Sequence, residues 1–569
     1  MAPTFAAALP ELTSAHFGQP LAAAELVLLN EPLAEALGLS PQWLRSPAGI
    51  AFLSGQPLPE PATLPPALAA LTQPVATAYA GHQFGQFAGL LGDGRALLLA
   101  TLTGPAGITH PAPPKPATHP EPATHPEPAT GADPAHRTGS QVYELQAKGT
   151  GRTAFSRGGD GKATLAAALR EYLMSEALYA LGIPTTRALA VLATGETIAR
   201  PAQQPFPGQL TNSQQPGGIV VRVASSHLRV GTFELIARIP DSREAGSAAS
   251  ELMRRGLAFA AQRHGYPEDP GGLLQAVVRR QAQLVAQWLG CGFVHGVMNT
   301  DNTTISGETI DFGPCAFLDA HRPHAVFSSI DHAGRYAFGA QPRVLGWNLE
   351  QLARALTPAL DEDPNAAQAL AQDILASYPT LFDAALITHW LPKLGLPPTL
   401  HDDPVASTVV KSWLELLSQF GPDHTNAHRA LLAELADPHS GALVATRPEN
   451  SETPRDPQWP LAAQSWLTRW HQVRAELKVD PLQSQALLQS HNPAVIARNH
   501  LLTAALREAT EGSDTSELST TADVGSYLAL HRVLQDPFNP AHDTKAPGNS
   551  DFTAPAPEQF GGYRSYCGT

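Results

Sequence analysis

The sequence predicts an α+β fold, with strands concentrated in its first half and helices in its second. Apolar and polar residues alternate from Gln141 to Lys148, which is the pattern of a β-strand with one buried face. Apolar residues recur at helical spacing over residues 163–181 and 272–289, and the chain beyond residue 347 is mostly helical in pattern. Because 569 residues are too many for a single core, we expect two or three subdomains.

The composition argues against several classes of protein. Hydrophobic residues make up 43% of the chain, and no apolar run approaches the ~20 residues of a membrane span, so we expect a soluble globular protein. A net charge of −14 argues against general binding to nucleic acid or anionic membranes. The first residues lack the basic and apolar segments of a secretory signal. Three cysteines, Cys291, Cys315 and Cys567, are too few for a disulfide framework, which fits a reducing cytoplasm.

Two segments are expected to carry no chemistry. Residues 1–77 are rich in Ala, Leu and Pro, and we interpret them as an N-terminal extension with short helices such as Pro32–Leu39. Residues 103–140 are of low complexity, and the unit Pro-Ala-Thr-His-Pro-Glu occurs twice within them, at 116–121 and 122–127. We predict a disordered insert here. Extending a loop from about ten to about forty residues costs only about 1.2 kcal/mol in closure entropy, which a folded domain tolerates.

The segment between them, residues 78–102, contains a candidate ligand-binding turn. Asp93-Gly94 between apolar runs predicts a hairpin that leads into a buried strand at 97–102. Gly92 and Gly94 would let the backbone approach a ligand beside Arg95. For the dipeptide alone, an ordinary tight turn is the simpler interpretation.

A second glycine-rich segment, Gly149–Ala163, opens the helix predicted over 163–181. It is not a Walker A loop, because Ser156 stands where the first glycine belongs and Ala163 where Ser or Thr would bind magnesium. Backbone N–H groups in such a loop can still bind an anion. Asp160, which precedes Gly161, suits a base, ribose or cation contact better than a phosphate contact.

Two arginines follow from a predicted strand and the turn after it. Arg222 lies in the apolar run of residues 218–224, and Arg229 lies seven positions later. Paired arginines suit the oxygens of a polyphosphate. Surface salt bridges are the alternative interpretation, and the segment alone does not decide between them.

The stretch from His295 to Pro314 resembles the catalytic and metal-binding loops of protein kinases, H-R-D-L-x-x-x-N followed by D-F-G. In this frame Asn302 takes the place of the metal-binding Asn, and Asp311 that of the metal-binding Asp. Val297 takes the place of the catalytic Asp and cannot accept a proton. A carboxylate occurs four residues later, at Asp301, so either the protein is an inactive kinase or the base has moved.

The same stretch predicts a metal site. Ile305 and Ile310 flank a Gly307-Glu308 turn, which indicates a short hairpin that would bring Asp301, Asn302 and Asp311 to one end. Carboxylate and amide oxygens suit a hard divalent cation that also contacts phosphate. A polar turn with two solvated Asp residues is the alternative interpretation.

The comparison with kinase motifs also predicts an ion-pair partner for Lys148. Kinases place a phosphate-contacting Lys on a strand and pair it with a Glu on the next helix. Lys148 ends the predicted strand, and Glu171 and Glu176 lie on the predicted helix that follows. We favour Glu171 as the partner, although a surface Lys and a solvated Glu would fit this segment equally well.

Several long motifs together resemble the selenoprotein O (SelO, YdiU) family. The resemblance runs from about residue 78 to the C-terminus, and the insert at 103–140 removes no motif. The motifs are YAGHQFG, LGDGRA, LQAKGTGRTAFSRGGDGKATL, VVRVASSHLRVGTFE, HGVMNTDNTTISGETIDFGP and RNHLL.

The resemblance implies a protein-kinase-like bilobal fold and protein adenylyltransferase activity. Such enzymes bind ATP in a flipped orientation and transfer AMP to Ser, Thr or Tyr hydroxyls of proteins, with pyrophosphate released and Mg²⁺ or Mn²⁺ as cofactor. UMP transfer from UTP is also implied. Asp301 would accept the proton, Asn302 and Asp311 would bind the metal, and Lys148 would pair with Glu171. The nucleotide contacts would come from Gly92, Gly94, Arg95, Lys148, Asp160, Gly161, Arg222, Arg229 and Asp311.

The resemblance also implies a domain arrangement and a redox pair. We expect an N-terminal extension (1–77), an N-lobe (78–235), a helical C-lobe (236–536) with its catalytic and metal loops at 295–315, and a tail (537–569). Cys567 occupies a position where many members of the family carry selenocysteine or cysteine. We hypothesise a reversible, redox-sensing disulfide between Cys567 and Cys315, with two unrelated cysteines as the alternative.

Two other classes of function compete with nucleotidyl transfer. An ordinary protein kinase is disfavoured because Val297 cannot act as a base. A nucleotide-binding pseudokinase scaffold is disfavoured because a scaffold does not need Lys148, Asp301, Asn302 and Asp311 together.

Overall fold

The computed structural model describes residues 3–59, 63–111, 140–201, 212–240, 246–446, 457–511, 524–543, 552–557, 560 and 562–565. Within these residues the chain combines antiparallel sheets with helices, in agreement with the predicted α+β class. None of the described helices has both the length and the apolar character that a membrane span requires. The repeated Pro-Ala-Thr-His-Pro-Glu units lie outside the described residues.

The main sheet is antiparallel and has eight strands among the described residues. Its order is β1-β3-β6-β7-β10-β9-β2, and the short β8 pairs with β10. Two small sheets stand apart from it, β4 with β5 and β11 with β12. The strands are β1 (Thr13–Ala15), β2 (Glu25–Leu29), β3 (Val75–Thr77), β4 (Ala80–Gln83), β5 (Gln86–Leu90), β6 (Ala96–Pro105), β7 (Ser140–Lys148), β8 (Ala163–Thr164), β9 (Arg187–Pro201), β10 (Asn212–Ala224), β11 (Phe293–Val294) and β12 (Ala316–Phe317).

Helices dominate the second half of the described chain. The helices before residue 230 are α1 (Phe5–Ala8), α2 (Glu31–Ala36), α3 (Pro41–Leu44), α4 (Pro47–Leu53) and α5 (Leu165–Ala180). Those after it are α6 (Val230–Ile236), α7 (Ala248–His264), α8 (Pro270–Cys291), α9 (Gln341–Leu360), α10 (Pro364–Ala376), α11 (Tyr378–Lys393), α12 (Pro404–Phe420), α13 (His424–Ala436), α14 (Trp459–Glu476), α15 (Pro481–His491), α16 (Asn499–Glu511) and α17 (Gly525–Leu534).

Local capping explains where the two helices nearest the candidate site begin and end. The Thr164 hydroxyl accepts from Ala167 N at 3.2 Å and starts α5, and the Asp269 side chain caps the start of α8. Gly292 ends α8 in a left-handed conformation with φ of 75°, which glycine adopts without strain. The chain then enters β11 and reaches His295, as the sequence pattern predicts.

Strand β7 is buried on both faces, whereas the sequence predicts one polar, exposed face. Leu145 and Ala147 share a core with Leu33 of α2 and Phe52 of α4. On the other face Glu144 and Gln146 are 1% and 0% exposed. Burial of these polar groups is tolerated because each has partners: Glu144 accepts from His227 N at 2.8 Å, and Gln146 accepts from Arg222 Nε at 2.8 Å.

The predicted hairpin at Asp93-Gly94 is wrong. Strand β6 pairs with β3 and β7 and does not pair with β5. Asp93 instead accepts hydrogen bonds from Thr77 N at 3.0 Å and from Thr77 Oγ1 at 2.6 Å. A buried carboxylate thus fastens β3 to this turn, which is a long-range interaction that the dipeptide does not encode.

The predicted hairpin between Ile305 and Ile310 is also wrong. The Thr304 hydroxyl accepts from Glu308 N at 3.0 Å and donates to Glu308 O at 2.7 Å, and so closes a tight loop without strands. Its two ends form isolated bridges with other segments, Thr304 with Arg229 and Thr309 with Thr185. Side-chain bonds to the backbone compete here with the strand pairing.

Two of the predicted segments contain parts of the main sheet. Residues 1–77, the expected extension, contribute β1, β2 and β3 to it. The expected insert begins later than residue 103, because β6 continues to Pro105 and pairs with the start of β7. Ile108 just beyond is 5% exposed, so apolar burial extends the ordered structure past the strand.

Helix α5 is fastened to the sheet by a buried ion pair. Glu176 Oε1 accepts from Arg187 Nε at 2.8 Å, and Oε2 accepts from Nη2 at 2.6 Å. The same carboxylate accepts from Asn30 Nδ2 at 3.0 Å and from Ala188 N at 2.9 Å. The Arg187 guanidinium also lies over the ring of Tyr179, 3.5 Å from its centroid.

We predict that Arg187→Ala lowers the free energy of unfolding by about 3–5 kcal/mol, because Glu176 would remain buried without its charged partner. Urea unfolding followed by circular dichroism measures the change. Arg254→Ala is the control, since Arg254 forms an exposed pair with Glu251 and its removal should leave the transition midpoint unchanged. Equal midpoint shifts in the two variants would contradict the importance of the buried pair.

Candidate active site

Three cationic side chains converge on the carboxylate of Asp311. Lys148, the last residue of β7, donates to Oδ1, and Arg222 of β10 donates from Nη1 to the same oxygen at 2.9 Å. Arg229, the residue before α6, donates from Nη1 to Oδ2 at 3.0 Å. Asp311 has a φ of 64°, a left-handed conformation that costs energy for any residue with a side chain. Contacts with three elements hold Asp311 in this conformation.

These charges decide the protonation state of Asp311. Burial alone would raise its pKa, but the positive charges of Lys148, Arg222 and Arg229 outweigh burial and hold the pKa well below its usual range. The carboxylate is therefore ionised at neutral pH and available to a cation.

Glu171 of α5 joins two of these cations. Its Oε2 lies 2.8 Å from Lys148 Nζ, and its Oε1 lies 3.0 Å from Arg222 Nη1. The sequence favours Glu171 over Glu176 as the partner of Lys148, and the structure places Glu171 in that contact. Both Arg222 and Glu171 are buried, and together they position the ammonium of the partly exposed Lys148.

Arg229 connects Asp311 to the other acidic loop. The Nη1 atom that binds Asp311 also donates to the backbone oxygen of Asp301 at 2.6 Å. The guanidinium lies over the Tyr79 ring, 4.6 Å from its centroid, and its Nη2 atom is 3.9 Å from Asp93 Oδ1. One buried arginine thus holds the two loops together, although the predicted hairpin between them does not form.

Asp301 lies in an environment opposite to that of Asp311. Its Oδ1 atom is buried and accepts no hydrogen bond from the described residues. Burial raises the pKa of Asp301 to about 6, against the lowering effects of the Arg229 charge and a hydrogen bond from Gln83. A carboxylate with this pKa is a better proton acceptor near neutral pH than a free Asp, whose pKa is about 3.9.

Asn302 follows Asp301 in a short 3₁₀ turn, Thr300–Asn302. Its Nδ2 atom donates to Val297 O at 3.0 Å, which fixes the amide and leaves Oδ1 as the acceptor atom. Val297, at the position of the kinase base, is buried and supplies its backbone oxygen to this contact. Asn302 and Asp311 together offer the hard oxygen donors that Mg²⁺ and Mn²⁺ prefer.

Side chains fix the backbone on both sides of Asp311. His295 Nε2 lies 2.9 Å from Ile310 O, immediately before Asp311. Arg170 of α5 donates from Nε to Gly313 O at 3.0 Å and from Nη2 to Cys315 O. The acidic loop is thus fixed by α5 and by the histidine of the kinase-like motif.

The predicted glycine-rich contacts serve packing in this structure. A Cβ atom on Gly92 would lie 2.5 Å from Phe155 Cγ, and one on Gly94 would lie 2.9 Å from Phe155 O. The Arg95 carbonyl accepts from Gly149 N at 2.7 Å. These glycines therefore let residues 92–95 pack against the 149–163 loop, and their roles in nucleotide binding stay predictions.

Asp160 stabilises that loop. Its carboxylate accepts from Arg200 Nη1 at 2.7 Å and Nη2 at 3.0 Å, and also from Lys162 N at 2.9 Å. Gly161 has a φ of 71°, and a Cβ atom there would lie 2.2 Å from the Gly151 carbonyl carbon. The described contacts of Asp160 are thus with its own loop and with Arg200 of β9. A nucleotide contact at Asp160 or Gly161 stays a prediction.

Only one of the two cysteines of the hypothesised disulfide lies within the described residues. Cys315 is fully buried, and burial raises the pKa of its thiol to about 12, which disfavours the reactive thiolate. Cys567 lies outside the described residues. Ser565, two positions before it, donates from Oγ to Pro314 O at 2.7 Å, next to Cys315. The disulfide stays a prediction.

Two residues that support the site were not identified from the sequence. Asp93 accepts from Gln146 Nε2 at 3.1 Å, so it holds the glutamine that binds Arg222. Gln83, on the β4–β5 hairpin, lowers the pKa of Asp301 against the effect of burial. Gln146 and Lys148 lie two positions apart in β7 and therefore on the same face of the strand, which could have indicated that Gln146 also lies near the site. No sequence signal indicates the effect of Gln83, because Gln83 and Asp301 are far apart in the chain.

The charged cluster of this α+β chain contains the groups that an enzyme acting on phosphate compounds needs. Comparison with known proteins identifies the enzyme class as nucleotidyltransferase. The model of one family, described as "Protein adenylyltransferase SelO", matches residues 6–111 and 134–524. The chain belongs to this family. The resemblance seen in the sequence motifs is thereby confirmed.

Bacterial relatives are similar to this chain along nearly their whole length. A protein of Mycolicibacterium smegmatis named "Protein nucleotidyltransferase YdiU" is 41% identical over 571 residues, which cover 99% of this chain and 97% of the relative. Proteins of the same name from Rhodopseudomonas palustris and Methylorubrum populi are 40% and 41% identical. They cover 94% and 96% of this chain, and this chain covers 92% and 94% of them.

We predict that Gly81→Ala lowers nucleotidyl transfer about a hundredfold, because the added methyl group would lie 2.7 Å from Asp301 Oδ1 and displace the carboxylate. Transfer of label from α-labelled ATP to protein measures the loss. Gly89→Ala adds the same group to the same hairpin where no atom lies within 4 Å, and should retain most of the activity despite its φ of 76°. Comparable losses in both variants would contradict a steric effect on Asp301.

Proposed function

We propose that this enzyme transfers AMP from ATP to Ser, Thr or Tyr hydroxyls of other proteins and releases pyrophosphate, with UTP as a further donor. The observation that carries the proposal is the arrangement around Arg229, which binds an ionised Asp311 on one side and the backbone of Asp301 on the other. The family description and the relatives' names support nucleotidyl transfer over phosphoryl transfer. The protein would act in the cytoplasm.

A divalent cation fits the site. Asp311 is ionised, Asn302 presents an oriented amide oxygen, and the buried Oδ1 atom of Asp301 lacks a hydrogen-bond donor. We assign Asn302 and Asp311 as the protein ligands of Mg²⁺ or Mn²⁺. When bound, the metal would offset the charge that develops on the phosphate oxygens.

The three cations would bind the polyphosphate. Lys148 and Arg222 each contact Asp311 and Glu171, and Arg229 contacts Asp311. Their fixed positions mean that little reorganisation is needed to stabilise the negative charge of the departing pyrophosphate. Gly92, Gly94, Arg95, Asp160 and Gly161 are proposed as further nucleotide contacts, on the basis of the family motifs.

Asp301 would accept the proton of the acceptor hydroxyl. The hydroxyl oxygen forms a bond to the α-phosphorus while the bond between that phosphorus and the bridging oxygen to the β-phosphorus breaks. The proton passes to the Asp301 carboxylate, and the electron pair of the broken bond leaves with pyrophosphate. Because the α-phosphate faces the acceptor in this arrangement, the base need not occupy the position of Val297.

We further propose that the chain has the bilobal arrangement of protein kinases. The strand, helix and loop order from β7 through α5 and α8 to Asp311 supports this arrangement, as do the contacts of Lys148 with Glu171 and of His295 with Ile310. In this arrangement residues 78–235 form the N-lobe and residues 236–536 the C-lobe.

The decisive measurement uses ATP labelled at the α- or the γ-phosphate. With Mg²⁺ or Mn²⁺, we expect label on protein from α-labelled ATP only. EDTA should abolish the label, because it would remove the metal that Asn302 and Asp311 would hold and that would offset the phosphate charge. Gel autoradiography measures the label. Label from the γ-phosphate alone would establish a kinase, and bound ATP without label would favour a scaffold.

We predict that Asp301→Asn lowers transfer by about 10²–10⁴-fold while the dissociation constant for ATP changes little, because the amide cannot accept the proton. Rapid-quench transfer assays and calorimetry measure the two quantities. Asp402→Asn, at a fully solvated position, is the control and should change neither. Transfer at the wild-type rate by Asp301→Asn would refute the assigned role.

A further inference from the structure

The β4–β5 hairpin lies against the proton acceptor proposed above. His82 N donates to Thr300 Oγ1 at 2.7 Å, and Phe84 N donates to Asn299 Oδ1 at 3.3 Å. A Cβ atom on Gly81 would lie 2.7 Å from Asp301 Oδ1, so the hairpin backbone passes beside this carboxylate. Three hairpin residues thus lie against the three residues that end at Asp301. The tip of the hairpin therefore lies at the edge of the candidate active site.

The turn at this tip is strained and exposes an aromatic residue. Phe84 and Gly85 connect the strands with φ values of 52° and 79°. Two positive φ values in a two-residue connection are typical of turns that favour Asn-Gly, and a bulky residue in the first position is an outlier. Phe84 nevertheless occupies it, with its ring centroid 5.1 Å from that of Tyr336 and 36% of the residue exposed. Backbone strain of this kind concentrates at functional sites.

Further apolar and cationic side chains extend the exposed surface. Phe87 and Leu90 of β5 are 42% and 51% exposed. The Arg238 guanidinium lies 3.8 Å from the centroid of the Phe87 ring, and that of Arg335 lies 4.8 Å from the centroid of Trp347. We refer to Phe84, Phe87, Leu90, Arg238 and Arg335 as the hairpin surface.

The two arginines of the hairpin surface are available to a partner. Among the described residues, neither Arg238 nor Arg335 has a carboxylate within ion-pair distance, and Arg335 Nε is buried without an acceptor. The chain as a whole carries a net charge of −14, and Arg238 and Arg335 place two positive charges beside the aromatic rings of this surface. Arginine and aromatic residues are enriched where binding energy is concentrated in protein interfaces.

The hairpin separates this surface from the inner side of the site. Gln83 and Gly81 lie on the face of the hairpin that is turned towards Asp301. Phe87 pairs with His82 in the sheet. The His82 ring centroid lies 5.2 Å from that of Phe87 and 5.2 Å from that of Trp347. Side chains of a strand alternate between its faces, so Phe87 and Gln83 point in opposite directions. A ligand bound to Phe87 and Arg238 is thus outside the Asp311 cluster and beside the acceptor position.

From these observations we propose that the hairpin surface binds the segment of the protein substrate that carries the acceptor hydroxyl, and that this segment has an apolar side chain flanked by carboxylates. The apolar side chain packs on Phe84 and Phe87, and the carboxylates pair with Arg238 and Arg335. The proposal rests on the proposed transfer to protein hydroxyls and names the chemistry of the acceptor that the site selects.

The test uses short synthetic peptides with a central Tyr, a Leu beside it and Glu residues on both sides. In one matched peptide Lys replaces the Glu residues, and in another Ala replaces the Leu. With α-labelled ATP, the wild-type enzyme should have a KM about tenfold lower for the Glu peptide than for the Lys peptide. The double variant Arg238→Glu, Arg335→Glu should reverse this preference.

Phe84→Asn tests the aromatic contact separately. Asn tolerates the left-handed conformation, so the melting temperature should stay the same or rise, while the KM for the Glu peptide should increase about tenfold. The dissociation constant for ATP should not change. Leu461→Asn and Arg354→Glu, exposed positions on α14 and α9, are the matched controls and should behave as wild type.

Each outcome separates the two proposals. Unchanged peptide KM values in the variants, or wild-type labelling of proteins without labelling of either charged peptide, would overturn the docking proposal alone. A parallel loss of ATP affinity in Phe84→Asn would assign the hairpin surface to the nucleotide and also overturn it. Absence of α-label on any protein with the wild-type enzyme would instead contradict the proposed function.

Discussion

The carboxylate of Asp311 needs cations from three separate elements, and the arrangement of the site depends on that requirement. A buried carboxylate without partners would be protonated or would destabilise the fold. Lys148, Arg222 and Arg229 come from β7, β10 and the start of α6, and Glu171 adds α5 through its contacts with the first two. The charge of one loop residue is therefore balanced only when sheet and helices are assembled.

The two acidic loops share Arg229 yet have opposite electrostatic environments. The pKa of Asp311 is lowered because three cations outweigh its burial, whereas the pKa of Asp301 is raised because burial outweighs the single nearby arginine. Carboxyl groups whose pKa values are separated in this way can divide the roles of cation ligand and proton acceptor. The surroundings of each side chain decide the direction of its pKa shift, since both residues are of the same type.

The strained Phe84-Gly85 turn and the buried polar face of β7 depart from what local preference favours, and both lie beside the site. Phe84 occupies a turn position that favours Asn, and Gln146 is fully buried although the alternating pattern predicts exposure. The cost at Gln146 is offset by its bonds to Arg222 and Asp93. At Phe84 the backbone N–H donates to Asn299 and Tyr336, and the ring lies beside that of Tyr336. The part of the ring that remains exposed is the basis of the proposed binding role. Residues that do not match the preference of their local structure are expected at functional sites.

The sequence by itself determined the α+β class, the main helices and strands around the site, and the family, because periodicity and long motifs are properties of contiguous residues. It also indicated Lys148, Glu171, Asp301, Asn302 and Asp311 as a set. The hairpins at Asp93-Gly94 and Ile305–Ile310 were wrong because long-range partners, Thr77 for the first and Thr185 and Arg229 for the second, compete with local turn preference. Only the tertiary structure decided that Arg229 joins the two loops and that their pKa values diverge. These properties depend on burial and on distances between residues remote in sequence, which no local pattern encodes.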